Sequence, residues 1–503
     1  MDNSGQRITK YFEKHRTETD IDDITCNDLD LDAVFDRINK TSSSLGEEML
    51  YYILRSPQKK EDSLCALENN IEYYLKAENE KKKTVAALSG LSKLKKTSVF
   101  EYLDKLDEIR SIKSIVLFMP MILILAGIVC IFFNATAGIL VTAAAFIINT
   151  IRYFKLQKDI RPYLICFSYV FKAIRASRMI AAIKDDEIKG LLPLTRGNFI
   201  LGNLSGVSAN GGSGNPFDLL LDLLRMSLHL DIIRFYHLSG RVRASKDRIE
   251  ALLVHMGYVD AYIAIGEYRK SLDTYCIPHF EHKKHLKCDD LYHPLLKAPV
   301  KNSVDTEKSI LITGSNASGK STFLRSLAIN ILFAQTIHTV LASEYEAPLC
   351  LLATSMSIRD NLLKNESYYM AEIRSVKRIL ELSDNDNGFV MCFVDELLKG
   401  TNTLERIAAS SEILKELDKS NIFCFASTHD IELTSILEGV YDNMHFKEEI
   451  INDDISFSYR LLPGKSNTTN AIRLLISMDF PDEVVDRAVI RLKNFNKTGK
   501  WQF

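Results

Sequence analysis

Apolar and polar positions along the chain fall into three textures. In residues 21–111 the apolar positions recur at helical intervals. Leu29–Leu54 is the clearest run; Thr41-Ser42-Ser43-Ser44 interrupts it as an N-cap, and Ser56-Pro57 ends it. From Ser114 to Ile151 the polar half of the pattern vanishes, leaving 38 consecutive residues without a charge. Pro162–Leu192 and Phe217–Tyr275 return to helical spacing, separated by the Gly-, Ser- and Asn-rich loop Gly202–Pro216; Tyr275–Pro278 closes the second. From Leu291 onward short apolar runs alternate with helical ones: SILIT, FLRSLAINILFAQ, FVMCFVDE, NIFCFAST. That alternation is the pattern of a parallel α/β sheet. No repeat of 20–50 residues is visible.

The uncharged run predicts a membrane hairpin. Ile115–Phe133 has 19 residues, about 28 Å as a helix against a hydrocarbon core of ~30 Å. Asn134 and Gly138 supply a turn, and Gly138–Ile151, flanked by Ala135–Ala137 and Tyr153–Phe154, returns with Asn149 inside it. Lys105, Arg110 and Lys113 precede the pair; Arg152, Lys155, Lys158 and Arg161 follow it. Basic flanks around an uncharged turn place both termini in the cytoplasm, on the plasma membrane. Pro120 is no objection, since spanning helices tolerate proline. The competing reading is a helical hairpin buried in a soluble core, but uncharged runs this long are rare there.

Composition narrows the rest. A chain of 503 residues suggests two to four domains, and 46% apolar with 25% charged residues is globular rather than disordered. Lys+Arg 63 against Asp+Glu 65 leaves a net charge of −2, so nucleic acid must be held by a local patch. Lys81–Lys96 is the lysine-rich candidate: a solvated face, or a contact with headgroups or DNA. Nine cysteines without a CxxC pair argue for a reducing compartment and against a zinc ribbon. The opening MDNSGQRITKYFEKHRTETD is too polar for a signal peptide. Cys276, His279, His282, His285 and Cys288, spaced by three, are compatible with metal ligation but read better as a polar linker.

The chemistry lies in the last third. SILIT runs into Gly314-Ser315-Asn316-Ala317-Ser318-Gly319-Lys320-Ser321-Thr322, a GxxxxGK[ST] element between a strand and a helix. Backbone N–H groups there cradle phosphates, Lys320 reaches the β/γ oxygens, and the Ser321 hydroxyl ligates Mg²⁺, so ATP and Mg²⁺ are the expected cofactors. A second strand, Phe389–Val394, ends in Asp395-Glu396: Asp395 suits the metal, directly or through water, and Glu396 the attacking water. A third, Ile422–Ala426, leads through Ser427-Thr428 to His429, within reach of a γ-phosphate.

Together these pieces resemble the MutS family of DNA mismatch-repair ATPases. The resemblance rests on His293-Pro294-Leu295-Leu296, on Ile312–Ala328 (ITGSNASGKSTFLRSLA), on Phe333-Ala334-Gln335, on Asn365–Glu372 (NESYYMAE), on Val394–Asn402 (VDELLKGTN) and on Thr428-His429. Upstream, Asp28–Pro57 resembles the opening of the family's core domain, and Leu252–Pro278, with Asp260, its returning lever helix. Leu462-Pro463-Gly464 and Phe480–Ala488 resemble its closing helices. The resemblance implies an α + α/β fold: a helical core and lever with an inserted transmembrane hairpin, then a phosphate-loop ATPase domain with a parallel-rich sheet. The expected divisions are 1–20 (polar segment), 21–111 and 155–290 (core and lever), 112–154 (hairpin), 291–465 (ATPase) and 466–503 (C-terminal helices). It also implies a homodimer with composite sites, in which Ser367 faces the partner's γ-phosphate.

Departures are part of the pattern. The core-like segment begins within about 30 residues of Met1, so the family's mismatch-reading and connector domains are expected to be missing, and no Phe-x-Glu reading motif precedes it. The hairpin stands where the DNA clamp is expected, and Leu398 and Lys399 replace a small residue and an arginine. The expectation is a membrane-anchored ATPase acting on DNA, with lipid contact through residues 115–151. The alternative is the same engine in a non-DNA sensing or assembly role. An ABC-type transporter half fits poorly: two spans are few, and Leu204–Gly206 (LSG) precedes the phosphate loop instead of following it.

Overall fold

The computed structural model describes residues 3–109, 114–195, 226–315, 318–356, 368–383, 388–399, 401–451, 454–466 and 480–499, with isolated positions between 472 and 501. The loop Gly202–Pro216 lies outside them. The chain divides into two compact units, one made of Met1–Arg16, Asn39–Tyr52 and Asn69–Tyr268, the other of Thr17–Ile38, Ile53–Glu68 and Arg269–Phe503. Residues 21–111, expected as one helical piece, are shared between them.

The first unit is helical. Ser43 caps the helix Ser44–Arg55, accepting from Gly46 N at 3.1 Å. The same hydroxyl donates to Asp260 Oδ2 at 2.6 Å, and the backbone N–H groups of Ser42 and Ser43 each reach that carboxylate at 2.9 Å. Asp260, 1% exposed on the helix Lys246–Lys270, is thereby fully engaged. Burial pushes its pKa up to about 6, against the lowering pull of these bonds.

The uncharged run forms two antiparallel helices, Ser114–Phe133 and Ala135–Ala176. Asn134 alone makes the turn, its side chain accepting from Ala137 N at 3.1 Å. Gly138, expected in that turn, lies inside the second helix. A Cβ there would stand 2.5 Å from Ile131 Cα, so the glycine permits close backbone approach. The helical segment read from Pro162 does not start there: the second helix, of 42 residues, runs through that proline. Asn149 is buried, and its side-chain amide donates to Pro120 O at 3.0 Å. The outer faces are apolar and bare, with Phe133 88%, Leu140 71% and Ile151 67% exposed. Ala135–Met179 and Lys246–Lys270 are both long and apolar enough to cross a membrane. Their most apolar windows differ, at 22% and 67% buried, so the second is a core helix.

In the second unit the described strands are β1 (His279–Phe280), β2 (Leu286–Leu291), β3 (Asn302–Thr306), β4 (Ser309–Thr313), β5 (Glu344–Ala347), β6 (Cys350–Ser355), β7 (Phe389–Asp395), β8 (Ile422–Thr428), β9 (Tyr441–Ile451) and β10 (Asp454–Pro463). One sheet has the order β1-β5-β2-β3. The other runs β10-β9-β4-β8-β7-β6, parallel except for β10. Every residue of β4 and β8 is buried, as sheets covered on both faces require. Val390, Cys392, Val394, Cys424 and Ala426 pack against Val376, Ile379 and Leu414 from the helices Tyr368–Ser383 and Thr403–Glu416. The helix Lys320–Thr336 also packs on β6, β7 and β8. The helix Asp23–Asp28 joins this unit because Asp28 Oδ2 accepts from Thr354 Oγ1 at 2.7 Å and from Met356 N at 2.9 Å, at the end of β6. A fully buried carboxylate needs such donors.

Candidate functional site

Strand pairing brings the predicted residues together. β4 pairs with β8 so that Thr313 lies beside Thr428, and β8 pairs with β7 so that Ser427 lies beside Asp395. Three carboxyl ends therefore meet at one edge, where open α/β sheets present their ligand crevice. Gly314 and Gly319 adopt φ +148° and +111°, values that L side chains rarely take. A Cβ on Gly314 would also meet Ser318 Oγ at 2.9 Å. Gly319 leads directly into the helix Lys320–Thr336. Asn316 and Ala317 lie outside the described residues.

Lys320 is buried and turns back over the loop, donating to Gly314 O at 2.8 Å and Ser315 O at 2.9 Å. Ser321 Oγ donates to Asp395 Oδ2 at 2.6 Å, and Ser427 Oγ donates to the other oxygen, Oδ1. The two expected metal ligands are thus in direct contact. Glu396 Oε1 lies 2.7 Å from His429 Nε2, which lies 3.4 Å from Lys320 Nζ, while Lys399 Nζ stands 3.4 Å from Glu396 Oε2. The His429 hydrogen bond, aided by the charges around it, holds the Glu396 pKa down at about 2 against burial. Glu396 and Leu398 sit at φ +59° and +56°, a left-handed backbone that bulky side chains seldom adopt. Glu372 supports this turn, accepting from Lys399 N at 3.4 Å, and burial raises its pKa. Lys399, one of the departures, keeps a cation beside Glu396.

A cavity of about 340 Å³ adjoins the loop, lined by His293, Val300, Gly319, Thr322, Phe446 and Tyr459 among others. Burial, then the nearby Arg325 charge, pulls the His293 pKa down to about 4, so its ring is neutral. Asn302 ties the wall together, donating to Tyr459 O at 3.0 Å and accepting from Leu461 N at 2.7 Å.

Other expectations fare differently. Ser367 lies outside the described residues. The five Cys and His positions from Cys276 to Cys288 do not form one ligand set among the described residues. His285 lies instead between Glu281 (3.1 Å) and Asp305 (3.0 Å), and Cys288 is buried in β2. In the lysine-rich stretch, Lys81, Lys82, Lys83 and Lys93 each meet a carboxylate. Ser427 carries no role in the sequence reading, and Arg406, Phe446 and Tyr459 do not enter it. Only the strand register puts Ser427 opposite Asp395, although its place just before Thr428-His429 was a usable signal.

A loop turned by two glycines, a buried lysine and an acidic pair therefore meet at the carboxyl edge of a parallel sheet. Residues 310–496 match the family model for MutS domain V. Among curated proteins, the chain is similar to the DNA mismatch repair protein MutS of Thermus thermophilus, with 27% identity over 259 residues, covering 50% of this chain and 31% of that protein. It is also similar to that of Lawsonia intracellularis, with 30% over 222 residues (41% and 24%), and to that of Lactobacillus delbrueckii subsp. bulgaricus, with 27% over 295 residues (56% and 34%). Residues 310–496 are thus similar to MutS domain V, and the chain spans about a third or less of the length of these relatives.

Proposed function

We propose that this protein is a membrane-anchored MutS-type ATPase. The observation that carries the reading is the convergence of Lys320, Ser321, Asp395, Glu396 and His429 at one sheet edge. The site suits a magnesium–nucleotide complex: Ser318 Oγ is buried without a partner among the described residues, and the loop glycines leave the backbone uncovered. Bound there, Mg²⁺-ATP supplies a phosphoanhydride and a metal charge. Lys320 offers its ammonium to phosphate oxygens in place of the two loop carbonyls. Ser321 and Asp395 would hold Mg²⁺, whose charge would offset that of the phosphates, and Ser427 keeps Asp395 oriented. Glu396, ionised across the working pH range, holds and orients the attacking water. His429 bridges Glu396 and the phosphate end. The neutral, apolar-walled cavity beside the loop fits the nucleoside. Two such domains pairing, with Ser367 completing the partner's site, is the family's arrangement and our proposal for this chain.

Membrane anchoring rests on the bare apolar faces of Ser114–Phe133 and Ala135–Ile151 and on the basic flank that follows. Both termini then lie in the cytoplasm, at the plasma membrane. The names of the relatives support a DNA transaction such as mismatch repair. A non-DNA role for the same engine draws on one observation: four lysines of the Lys81–Lys96 stretch are already paired with carboxylates.

The test is ATP hydrolysis by detergent-solubilised protein, with Lys320→Ala as blank, with and without duplex or branched DNA at two salt concentrations. Stimulation that fades with salt establishes DNA action. Lysine-dependent hydrolysis indifferent to DNA selects the second role, and hydrolysis no faster than the blank refutes the ATPase.

A further inference from the structure

His429 is held at one end only by the groups it serves. Its ring touches Glu396 and Lys320, yet it leaves β8 at the start of a connection, where a ring swings freely unless the backbone behind it is pinned. The next residue supplies the pin. Asp430 accepts two parallel hydrogen bonds from Arg406, Nε to Oδ2 at 2.8 Å and Nη2 to Oδ1 at 2.6 Å, and its own N–H donates to Thr428 Oγ1 at 3.0 Å. A bidentate guanidinium–carboxylate pair fixes direction as well as distance.

Arg406 is itself placed by the segment that carries Glu396. It lies in the first turns of the helix Thr403–Glu416, whose start is capped by Asn402 Oδ1 accepting from Leu404 N at 2.9 Å. That helix, starting at Thr403, is the next described helix along the chain after the turn through Glu396 and Leu398. The pair therefore joins the connection after β7 to the connection after β8, and the two residues facing each other across that join are Glu396 and His429. The Arg406 and Asp430 side chains are 22% and 12% exposed, shielded enough for the geometry to persist.

Resting on the ATPase reading above, we infer that Arg406 and Asp430 are positioning residues. Their ion pair sets the register between Glu396 and His429, and so the rate of the hydrolytic step, without taking part in nucleotide binding. Neither side chain lines the cavity beside the phosphate loop or bonds to Lys320, Ser321 or Asp395.

The experiment compares kcat, KM and the affinity for a fluorescent ATP analogue in the full-length protein and in Arg406→Ala, Arg406→Lys, Asp430→Asn and the exchanged double variant Arg406→Asp/Asp430→Arg. Thermal melting serves as the folding control. Expected is a kcat loss on the order of 10- to 100-fold in Arg406→Ala and Asp430→Asn, with analogue affinity and melting temperature retained. Arg406→Lys recovers part of the rate and the exchanged double variant more than either single one. Unchanged kcat in Arg406→Ala overturns the inference while leaving the ATPase intact. So does a kcat loss matched by loss of analogue binding or of folding, because the pair would then be a general structural tie. A native protein no faster than Lys320→Ala refutes the ATPase reading and this inference together.

Discussion

Gly46→Ala sets two physical effects against each other. Gly46 lies in the first turn of the helix Ser44–Arg55, where replacing glycine with alanine is worth up to about 1 kcal/mol of helix propensity. The space opposes it. A Cβ at this position would stand 2.7 Å from Asp260 Cβ and nearer still to the Asp260 carboxylate. No rotation of alanine relieves this, so Asp260 must withdraw from Ser42 N, Ser43 N and Ser43 Oγ. Hydrogen bonds to a charged group contribute about 1.5–3 kcal/mol each, and Asp260 is too buried for water to replace them. Losing one or two outweighs the propensity gain and leaves a net destabilisation of about 2–4 kcal/mol, or roughly 5–15 °C in melting temperature for a unit of this size. The sign with pH follows from Asp260. Its folded pKa already lies at about 6, above the ordinary carboxylate value, and losing donors raises it further. The penalty is therefore smaller at pH 5, where Asp260 can protonate, than at pH 8. The assay is thermal unfolding of the detergent-solubilised protein at both pH values. A variant as stable as the parent, or more so, would falsify the argument and leave propensity in charge.

Three further outcomes are expected. Glu396→Gln keeps the shape of the side chain and loses its charge, so ATP analogue binding persists while turnover drops by at least about 100-fold; equal turnover in a steady-state assay contradicts the role given to Glu396. Burial alone would raise the Glu68 pKa, but hydrogen bonds from Arg269 (2.6 and 2.7 Å) and His338 (3.0 Å) bring it to about 2. Its contribution to stability is thus complete above the ordinary glutamate pKa and lost as pH falls towards 2, and denaturant titrations of the native protein and Glu68→Gln should converge in acid and separate towards neutrality. Cys130, exposed on the first hairpin helix, should resist a membrane-impermeant maleimide in native membranes and react after detergent; labelling of intact membranes at full rate speaks against the spans.

Much of the site was legible because its parts are local. The phosphate loop, the acidic pair and the histidine each sit within a few residues of a strand whose run of apolar positions identifies it. The uncharged run was equally plain, but its internal geometry was not. Gly138 looks like a turn residue from composition, and only the partner helix shows that it is there to let Ile131 approach. Pro162 opens the next helical segment in the sequence pattern, yet in the structure it lies inside one continuous helix, Ala135–Ala176.

What depended on tertiary structure was everything set by register and distance. Nothing in the order of residues says that Ser427 lies opposite Asp395, that Arg406 grips Asp430, or that Asp28 belongs at the end of β6, some 300 residues away in the chain. The lysines of Lys81–Lys96 are basic by composition, but carboxylates from Glu267 and Glu47 meet two of them only in the fold. Local chemistry is written in short segments because backbone conformation and side-chain type act within a few residues. The pairings that orient that chemistry join segments far apart, and their partners are chosen by how strands and helices pack. Residue type and local backbone conformation set which groups stand near the site, and long-range packing sets which of them touch.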